Sequence, residues 1–157
     1  MAPKTNALRI LDKEKVEYNI ITYNVKDSKI DGESIAEKIG RAPEFVYKTL
    51  VTHNKGNLFV FVIPVVEELD LKEAAKVVGE KKVEMLPLKD LQKYTGYIRG
   101  GCSPVGMKKL YPTYIDASAE QLSTIIVSAG KIGMQMEVNP KDLAKVTKAE
   151  FVEVLKK

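Results

Sequence analysis

The segment "FVYKTLVTHNKGNLFVFVIPV", residues 45–65, carries the strongest strand signal in this chain. Two runs rich in valine, phenylalanine and other strand-forming residues flank "NKGN", residues 54–57, which is a good hairpin connection. The segment therefore predicts an antiparallel β-hairpin. It does not continue into the regular strand–helix alternation that is typical of a doubly wound fold.

Helical patterns lie on both sides of the hairpin. The clearest covers "LDLKEAAKVVG", residues 69–79, where Asp70 can cap the start and Gly79 can end the helix. The other predicted helices cover residues 4–16, 31–40, 87–94 and 139–146, with Pro87 expected in the first helical turn. The other predicted strands cover residues 17–25, 81–86, 113–118, 124–130 and 133–138, and the tail, 149–157, is predicted as a strand or a short helix. This mixture predicts an α/β (mixed α+β) fold with a mixed or largely antiparallel sheet.

Composition limits the class of protein. A length of 157 residues suits a single domain over residues 1–157, and the formal net charge of +4 is compatible with a polyanionic partner or with a lysine-rich solvated surface. One cysteine excludes an internal disulfide framework and suits a reducing compartment. No signal-peptide core and no membrane-length apolar run is found, so a cytoplasmic protein without a membrane segment is expected.

Common catalytic machinery is missing from the sequence. His53 is the only histidine, so a histidine metal cluster cannot form and any catalytic triad would have to use this residue. Neither a GxxxxGK[ST] loop nor a GxGxxG fingerprint is present. We therefore predict no metal site and no cofactor.

Lys48 lies within the first strand of the hairpin, on the same face as Val46 and Leu50 because strand side chains alternate. If that face points inward, the ammonium needs an anion, carbonyl groups or a ligand, since an unpaired buried charge is costly. If the strand lies at a sheet edge, the lysine protects the edge from aggregation. The pattern alone leaves both interpretations open.

A glycine-rich stretch, "GYIRGGCSPVGMKK", spans residues 96–109. Gly100 and Gly101 allow close approach of the backbone to a ligand, and successive amide N–H groups can stabilise a carbonyl oxygen or an oxyanion. Ser103 could add a hydroxyl. Cys102 could act as a nucleophile only with a lowered pKa and a partner base, and no base is evident. A purely structural turn is the alternative.

The two motifs together resemble the YbaK/EbsC family. "FVYKTLV", residues 45–51, is followed some fifty residues later by "GYIRGGCSPVG", residues 96–106, and the resemblance extends over nearly the whole chain. The family consists of aminoacyl-tRNA deacylases related to the editing domain inserted in bacterial prolyl-tRNA synthetases. It implies a mixed α/β domain around a curved, largely antiparallel sheet. The implied function is removal of cysteine from mischarged tRNA(Pro), because similar size alone gives a synthetase limited discrimination.

The resemblance also implies a mechanism without an enzyme nucleophile: the thiol of the substrate attacks its own ester, giving a cyclic thiolactone and free tRNA. Lys48 would hold the 3′ end of the tRNA, and the amides of Gly100 and Gly101 would contact the aminoacyl carbonyl. The implied substrate-binding residues are Tyr23, Thr49, Ser103 and Gln135. Gln135 stands where some relatives carry an aspartate, and Ile30 and Asp31 stand where some carry an aromatic residue, so the amino-acid preference stays open.

Lys108 and Lys109 directly follow the glycine loop and are predicted to neutralise phosphates of the acceptor stem, with a solvated surface as the alternative. The expected partners are the acceptor end of tRNA(Pro) and prolyl-tRNA synthetase. The sequence leaves the oligomeric state open. Two further functions also stay open: deacylation of another small aminoacyl-tRNA, carrying alanine or serine, and a non-catalytic module that binds tRNA or a synthetase.

Overall fold

The computed structural model describes residues 4–27, 29 and 31–157, so the predicted departure at Ile30 lies outside the described residues. Within these ranges the chain forms five α-helices and eight β-strands, and every predicted element is present. The tail forms a strand. The helices are α1 (Asn6–Lys13), α2 (Gly32–Ile39), α3 (Leu71–Val78), α4 (Leu88–Thr95) and α5 (Pro140–Thr147). The strands are β1 (Tyr18–Thr22), β2 (Tyr47–Asn54), β3 (Asn57–Pro64), β4 (Glu84–Met85), β5 (Thr113–Asp116), β6 (Ile125–Lys131), β7 (Met134–Val138) and β8 (Glu150–Val152).

The strands form two sheets rather than one curved sheet. A three-stranded antiparallel sheet has the order β1-β7-β6, and a five-stranded mixed sheet has the order β4-β2-β3-β5-β8. The predicted hairpin β2–β3 pairs along its full length. One parallel bridge, Val46 to Ile126, joins the two sheets. Further along β2, β4 pairs with the same strand at Thr52 and His53.

Local capping agrees with the sequence patterns, with one correction. Asp70 accepts hydrogen bonds from the N–H groups of the first turn of α3, and Gly79 ends that helix with φ +76. Pro87 does not lie in the first turn of α4. It is the capping residue before the helix, because its ψ of 137° is extended although its ring fixes a helix-compatible φ.

The three-stranded sheet has two different faces. On one face, Val127 and Met136 are fully buried against Leu8 of α1 and Leu143 of α5. On the other face, Ile126 packs with residues of α2 and the start of β2. Side chains alternate along a strand, so this second face, called the α2 face below, also carries Ser128 and Gln135, which lie opposite each other in register. No helix in the described ranges is long and apolar enough to cross a membrane. The single domain stays a prediction.

An ion pair fixes the segment after α2 to the three-stranded sheet. The guanidinium of Arg41 donates two hydrogen bonds, of 2.9 and 2.8 Å, to the carboxylate of Glu137, and Thr124 donates a third of 2.8 Å. The Glu137 side chain is 12% exposed. Hydrogen bonding to Arg41 is the main cause that holds the pKa of Glu137 below its usual range. The ion pair is bidentate, but the Arg41 side chain is partly exposed to water, so its contribution to the free energy of unfolding is modest.

Replacement of Glu137 by glutamine is expected to lower the free energy of unfolding by about 1 kcal/mol at pH 7. Because the folded-state pKa lies below the unfolded value, this stabilisation is complete above the usual glutamate pKa and is lost as the pH falls through the folded value. The difference in unfolding free energy between the variant and wild type should therefore disappear at acidic pH. Urea unfolding at neutral and acidic pH measures the difference in unfolding free energy. Glu68→Gln serves as the control, because Glu68 forms an exposed ion pair with Lys156. A pH-independent difference would contradict the ion-pair explanation.

Candidate functional site

A cavity of about 440 Å³ opens where the two sheets separate. Its walls come from the start of α2, the start of β2, the residue after β3, the glycine loop and the α2 face of the three-stranded sheet. Four of the predicted site residues line it: Lys48, Thr49, Gly100 and Gln135. These four residues come from three distant parts of the sequence, and the fold brings them to the same cavity.

Lys48 faces this cavity. Its strand pairs with β3 on one side, and on the other side β4 pairs only with its far end, at Thr52 and His53. The strand order therefore leaves the sheet-edge interpretation open, and the position of Lys48 in the cavity wall favours the ligand interpretation. The side chain is half-buried, and its ammonium makes no ion pair or hydrogen bond with any residue in the described ranges. A free cation in a concave site is suited to an anionic ligand.

Buried polar groups without partners surround the same cleft. The hydroxyls of Thr49 and Tyr23 are buried, and neither has a hydrogen-bond partner in the described part of the chain. Gln135 is only 3% exposed, and its side-chain amide likewise makes no hydrogen bond to a described group. Tyr23 follows β1, which pairs with β7, and its parity places it on the same face as Gln135, although it does not line the cavity. Because each such group costs about 1–3 kcal/mol, a polar ligand that pairs with them would be bound favourably.

The two adjacent glycines have different roles. Gly100 lines the cavity with φ +85, in the left-handed region that favours glycine. The N–H of Gly101 already donates to the carbonyl of Ile98 at 3.0 Å, so it is not available to a substrate carbonyl. A Cβ on Gly101 would lie 3.0 Å from the backbone nitrogen of Ile132 and 3.2 Å from the carbonyl carbon of Lys131. Gly101 therefore allows the loop to pack against the β6–β7 turn, and its contact with a substrate carbonyl stays a prediction.

Ser103 does not line the cavity, and its role in substrate binding stays a prediction. Its side chain is fully buried away from the cavity, and its hydroxyl accepts the N–H of Val105 at 3.2 Å. Lys108 and Lys109 are exposed and do not line the cavity. The ammonium of Lys108 donates to the carbonyl of Lys93 at 3.1 Å, which leaves Lys109 the freer of the two. Their binding to tRNA stays a prediction.

Comparison with known proteins identifies the family. The sequence model of the aminoacyl-tRNA editing domain matches residues 30–146, which is most of the chain. The chain belongs to the aminoacyl-tRNA editing domain family. A curated relative is 50% identical over 155 residues, covering 98% of this chain and 94% of its own: "Putative Cys-tRNA(Pro)/Cys-tRNA(Cys) deacylase EbsC" of Enterococcus faecalis (strain ATCC 700802 / V583). The family predicted from the two motifs is thereby confirmed.

Solved structures support the fold of this editing domain. "Crystal structure of a putative trans-editing enzyme for prolyl tRNA synthetase" describes a chain that matches with a TM-score of 0.85 and 20% identity, over 99% of this chain and 100% of that chain. Another, "Crystal structure of hypothetical protein APE2540", matches with a TM-score of 0.88 and 18% identity, over 97% and 100%. The predicted mixed α+β fold is confirmed.

Sequence reasoning missed several residues that line the cavity of the editing domain. Arg99 lies in the glycine stretch and makes no ion pair within the described ranges, and its charge beside Gly100 was a signal that could have identified it. Ser128 and Glu33 also line the cavity, as does Asp31, which the sequence analysis named for the amino-acid preference. The positions of Ser128 and Glu33 depend on contacts between distant elements, so no local pattern marked them.

Cys102 lines the cavity but is poorly suited to act as a nucleophile. Burial raises the pKa of its thiol to about 12, so the thiol is protonated at neutral pH. His53 lies at the far end of β2, in register with Leu58 and Glu84, and does not line the cavity. No histidine base therefore stands beside this thiol.

Replacement of Cys102 by alanine is expected to leave a substantial deacylase activity, within about threefold of wild type, because a protonated thiol without a base supplies no nucleophile. Single-turnover release of the amino acid from mischarged tRNA measures this. A near-total loss in a folded variant would restore the enzyme-nucleophile hypothesis.

Proposed function

We propose that this editing domain removes cysteine from mischarged tRNA(Pro) in trans. The observation that carries the proposal is the ammonium of Lys48, unpaired among the described residues, in a cavity that is also lined by the buried hydroxyl of Thr49, which has no described partner, and by Gln135. The name of the 50% identical relative, a deacylase of Cys-tRNA(Pro) and Cys-tRNA(Cys), supports this choice of substrate.

The proposed chemistry uses the thiol of the substrate. The sulfur of the cysteinyl group attacks its own ester carbonyl carbon, a C–S bond forms, and the bond from that carbon to the tRNA 3′ oxygen breaks. The thiol loses its proton to water, and the departing tRNA oxygen takes one up, so the products are a four-membered thiolactone and free tRNA; water then opens the thiolactone to cysteine. The reaction is intramolecular, so the protein contributes by positioning and electrostatics.

Several residues that line the cavity have proposed roles in that reaction. Lys48 and Arg99 bind the phosphate or ribose oxygens of the terminal nucleotide. The N–H groups of Gly100 and Cys102, which have no acceptor within the described ranges, are the donors available to the ester carbonyl oxygen. Thr49 and Gln135 offer partners to the remaining polar groups of the aminoacyl end.

Two partners are proposed, the acceptor stem of tRNA because of the surface charge and prolyl-tRNA synthetase because of the need for tRNA selectivity. Lys109, with Lys108, faces solvent beyond the glycine loop and would neutralise acceptor-stem phosphates. Prolyl-tRNA synthetase is the proposed protein partner, because a pocket that encloses only the aminoacyl end cannot distinguish one tRNA from another.

A panel of tRNA(Pro) charged with cysteine, alanine or serine tests the function. We expect cysteine to be released fastest, because only its side chain supplies a sulfur nucleophile. Release of alanine as fast as cysteine would contradict the thiol-assisted mechanism and favour a deacylase for another small residue. Background release for all three would favour a non-catalytic binding module.

A further inference from the structure

The cavity contains an unpaired acid as well as unpaired cations. Asp31 and Glu33, from the start of α2, line it together with Lys48. The carboxylate of Asp31 caps the helix, since it accepts hydrogen bonds from the N–H of Ser34 at 3.1 Å and from its hydroxyl at 2.8 Å. Glu33 forms no hydrogen bond or ion pair with any residue that the structure describes. Glu33 is therefore the acid that is free to bind a ligand.

Contacts of Gly32 position the start of α2, which carries this acid. The helix start packs against the end of the hairpin, where a Cβ on Gly32 would overlap a methyl group of Val65. The N–H of Val65 donates to the carbonyl of Val46 at 2.9 Å. The start of α2 that carries Glu33 thus meets the cavity near Val46, whereas Lys48 lies two residues further along β2, about 7 Å from Val46 by strand rise. The acid and the cation therefore come from different positions on the cavity wall.

A ligand with charges of both signs fits this arrangement. An aminoacyl ester of tRNA carries a cationic α-amino group on one side of the ester and anionic phosphates on the other. Gln135, buried and without a partner, shows independently that the same cavity is built for polar groups. An ammonium is the group that a free carboxylate binds best.

We propose that Glu33 binds the α-ammonium of the aminoacyl group, an inference that rests on the proposed function. Lys48 and Arg99 then take the nucleotide end, so the ester lies between the two charges. The site would select tRNA esters with a free α-amino group over those in which the amine is missing or blocked. Its substrate class is therefore aminoacyl-tRNA rather than peptidyl-tRNA.

The test compares two substrates that differ only in the amine: Cys-tRNA(Pro) and tRNA(Pro) charged with 3-mercaptopropionate, which is cysteine without its amino group. The measured quantity is the ratio of kcat/KM for the two substrates, in wild type and in Glu33→Gln. Comparing this ratio between proteins cancels the effect of the amine on intrinsic ester reactivity. We expect the ratio to fall about fivefold in Glu33→Gln, because the carboxylate is exposed enough for water to weaken the pair.

Glu73→Gln is the matched control. Glu73 is also a first-turn acid of an eight-residue helix, α3, but it pairs with Lys76 and does not line the cavity. A loss of helix-dipole stabilisation would affect both variants alike, whereas only Glu33→Gln should change the ratio. An unchanged ratio in Glu33→Gln, with cysteine still released by wild type, would overturn this inference alone. If wild type released neither acyl group, the proposed function would fall, and this inference with it.

Discussion

Replacement of Lys48 by alanine is expected to lower kcat/KM for release of cysteine from Cys-tRNA(Pro) by about 10²- to 10³-fold. Lys48 is the half-buried cation on the β2 wall of the cavity, and it has no partner among the described residues that would compete with a ligand. Its loss removes the positive charge that positions the 3′ end and stabilises charge developing on the ester oxygens. Single-turnover deacylation under saturating and subsaturating protein measures the effect.

Two further variants test whether the loss of activity is specific to position 48. Lys55→Ala removes an exposed lysine from the β2–β3 turn of the same hairpin and is expected to keep wild-type activity. Lys48→Arg keeps the charge but not the compact ammonium, so partial activity is expected. Equal release by wild type and Lys48→Ala at the uncatalysed rate would favour the binding module. Equal and rapid release by both would refute the role of this lysine.

Replacement of Gly101 by alanine is expected to lower kcat/KM by about tenfold, with a loss of unfolding free energy of about 1–3 kcal/mol. The added Cβ would meet backbone atoms of Lys131 and Ile132, which cannot rotate away as a flexible side chain can. The loop must then shift slightly away from the β6–β7 turn. Gly100 and Cys102 would move with it, and in a positioned site even a small displacement of the donors weakens catalysis.

Gly79→Ala separates this effect from the general cost of replacing a glycine. Gly79 ends α3 with φ +76 and has open space around it, so alanine there is strained but meets no neighbouring atom. We expect a stability loss of about 1 kcal/mol and unchanged deacylation. If Gly101→Ala matched Gly79→Ala in both measurements, the packing role of Gly101 would be disproved.

The sequence was sufficient for the local elements, because their signals are local. The paired strands of the hairpin and the caps at Asp70 and Gly79 depend on residues within a few positions of one another. The separation into two sheets was not predictable in this way. It depends on contacts between distant elements: the bridge from Val46 to Ile126 joins positions far apart in sequence, and β4, only two residues long, reaches β2 from thirty residues further along the chain.

The candidate site was predicted in part. Lys48 was identified because a cation in a strongly apolar strand violates the local pattern, and Gly100 because paired glycines are unusual. The roles predicted for Gly101 and Ser103 stay predictions, because a loop sequence does not show which groups its own backbone and neighbours already use. Glu33 became visible only when α2 was placed against the cavity.

The unpartnered hydroxyls around the cavity have a consequence for the protein as a whole. Thr49 and Tyr23 hold buried hydroxyls without a partner in the described ranges, where apolar side chains of similar size would pack at lower cost. We therefore expect apolar replacements there to raise the melting temperature of the protein, and saturation of the wild-type protein with the acceptor end of a charged tRNA to raise it as well. Substitutions selected only for heat resistance would therefore first replace the polar groups that are proposed to recognise the substrate.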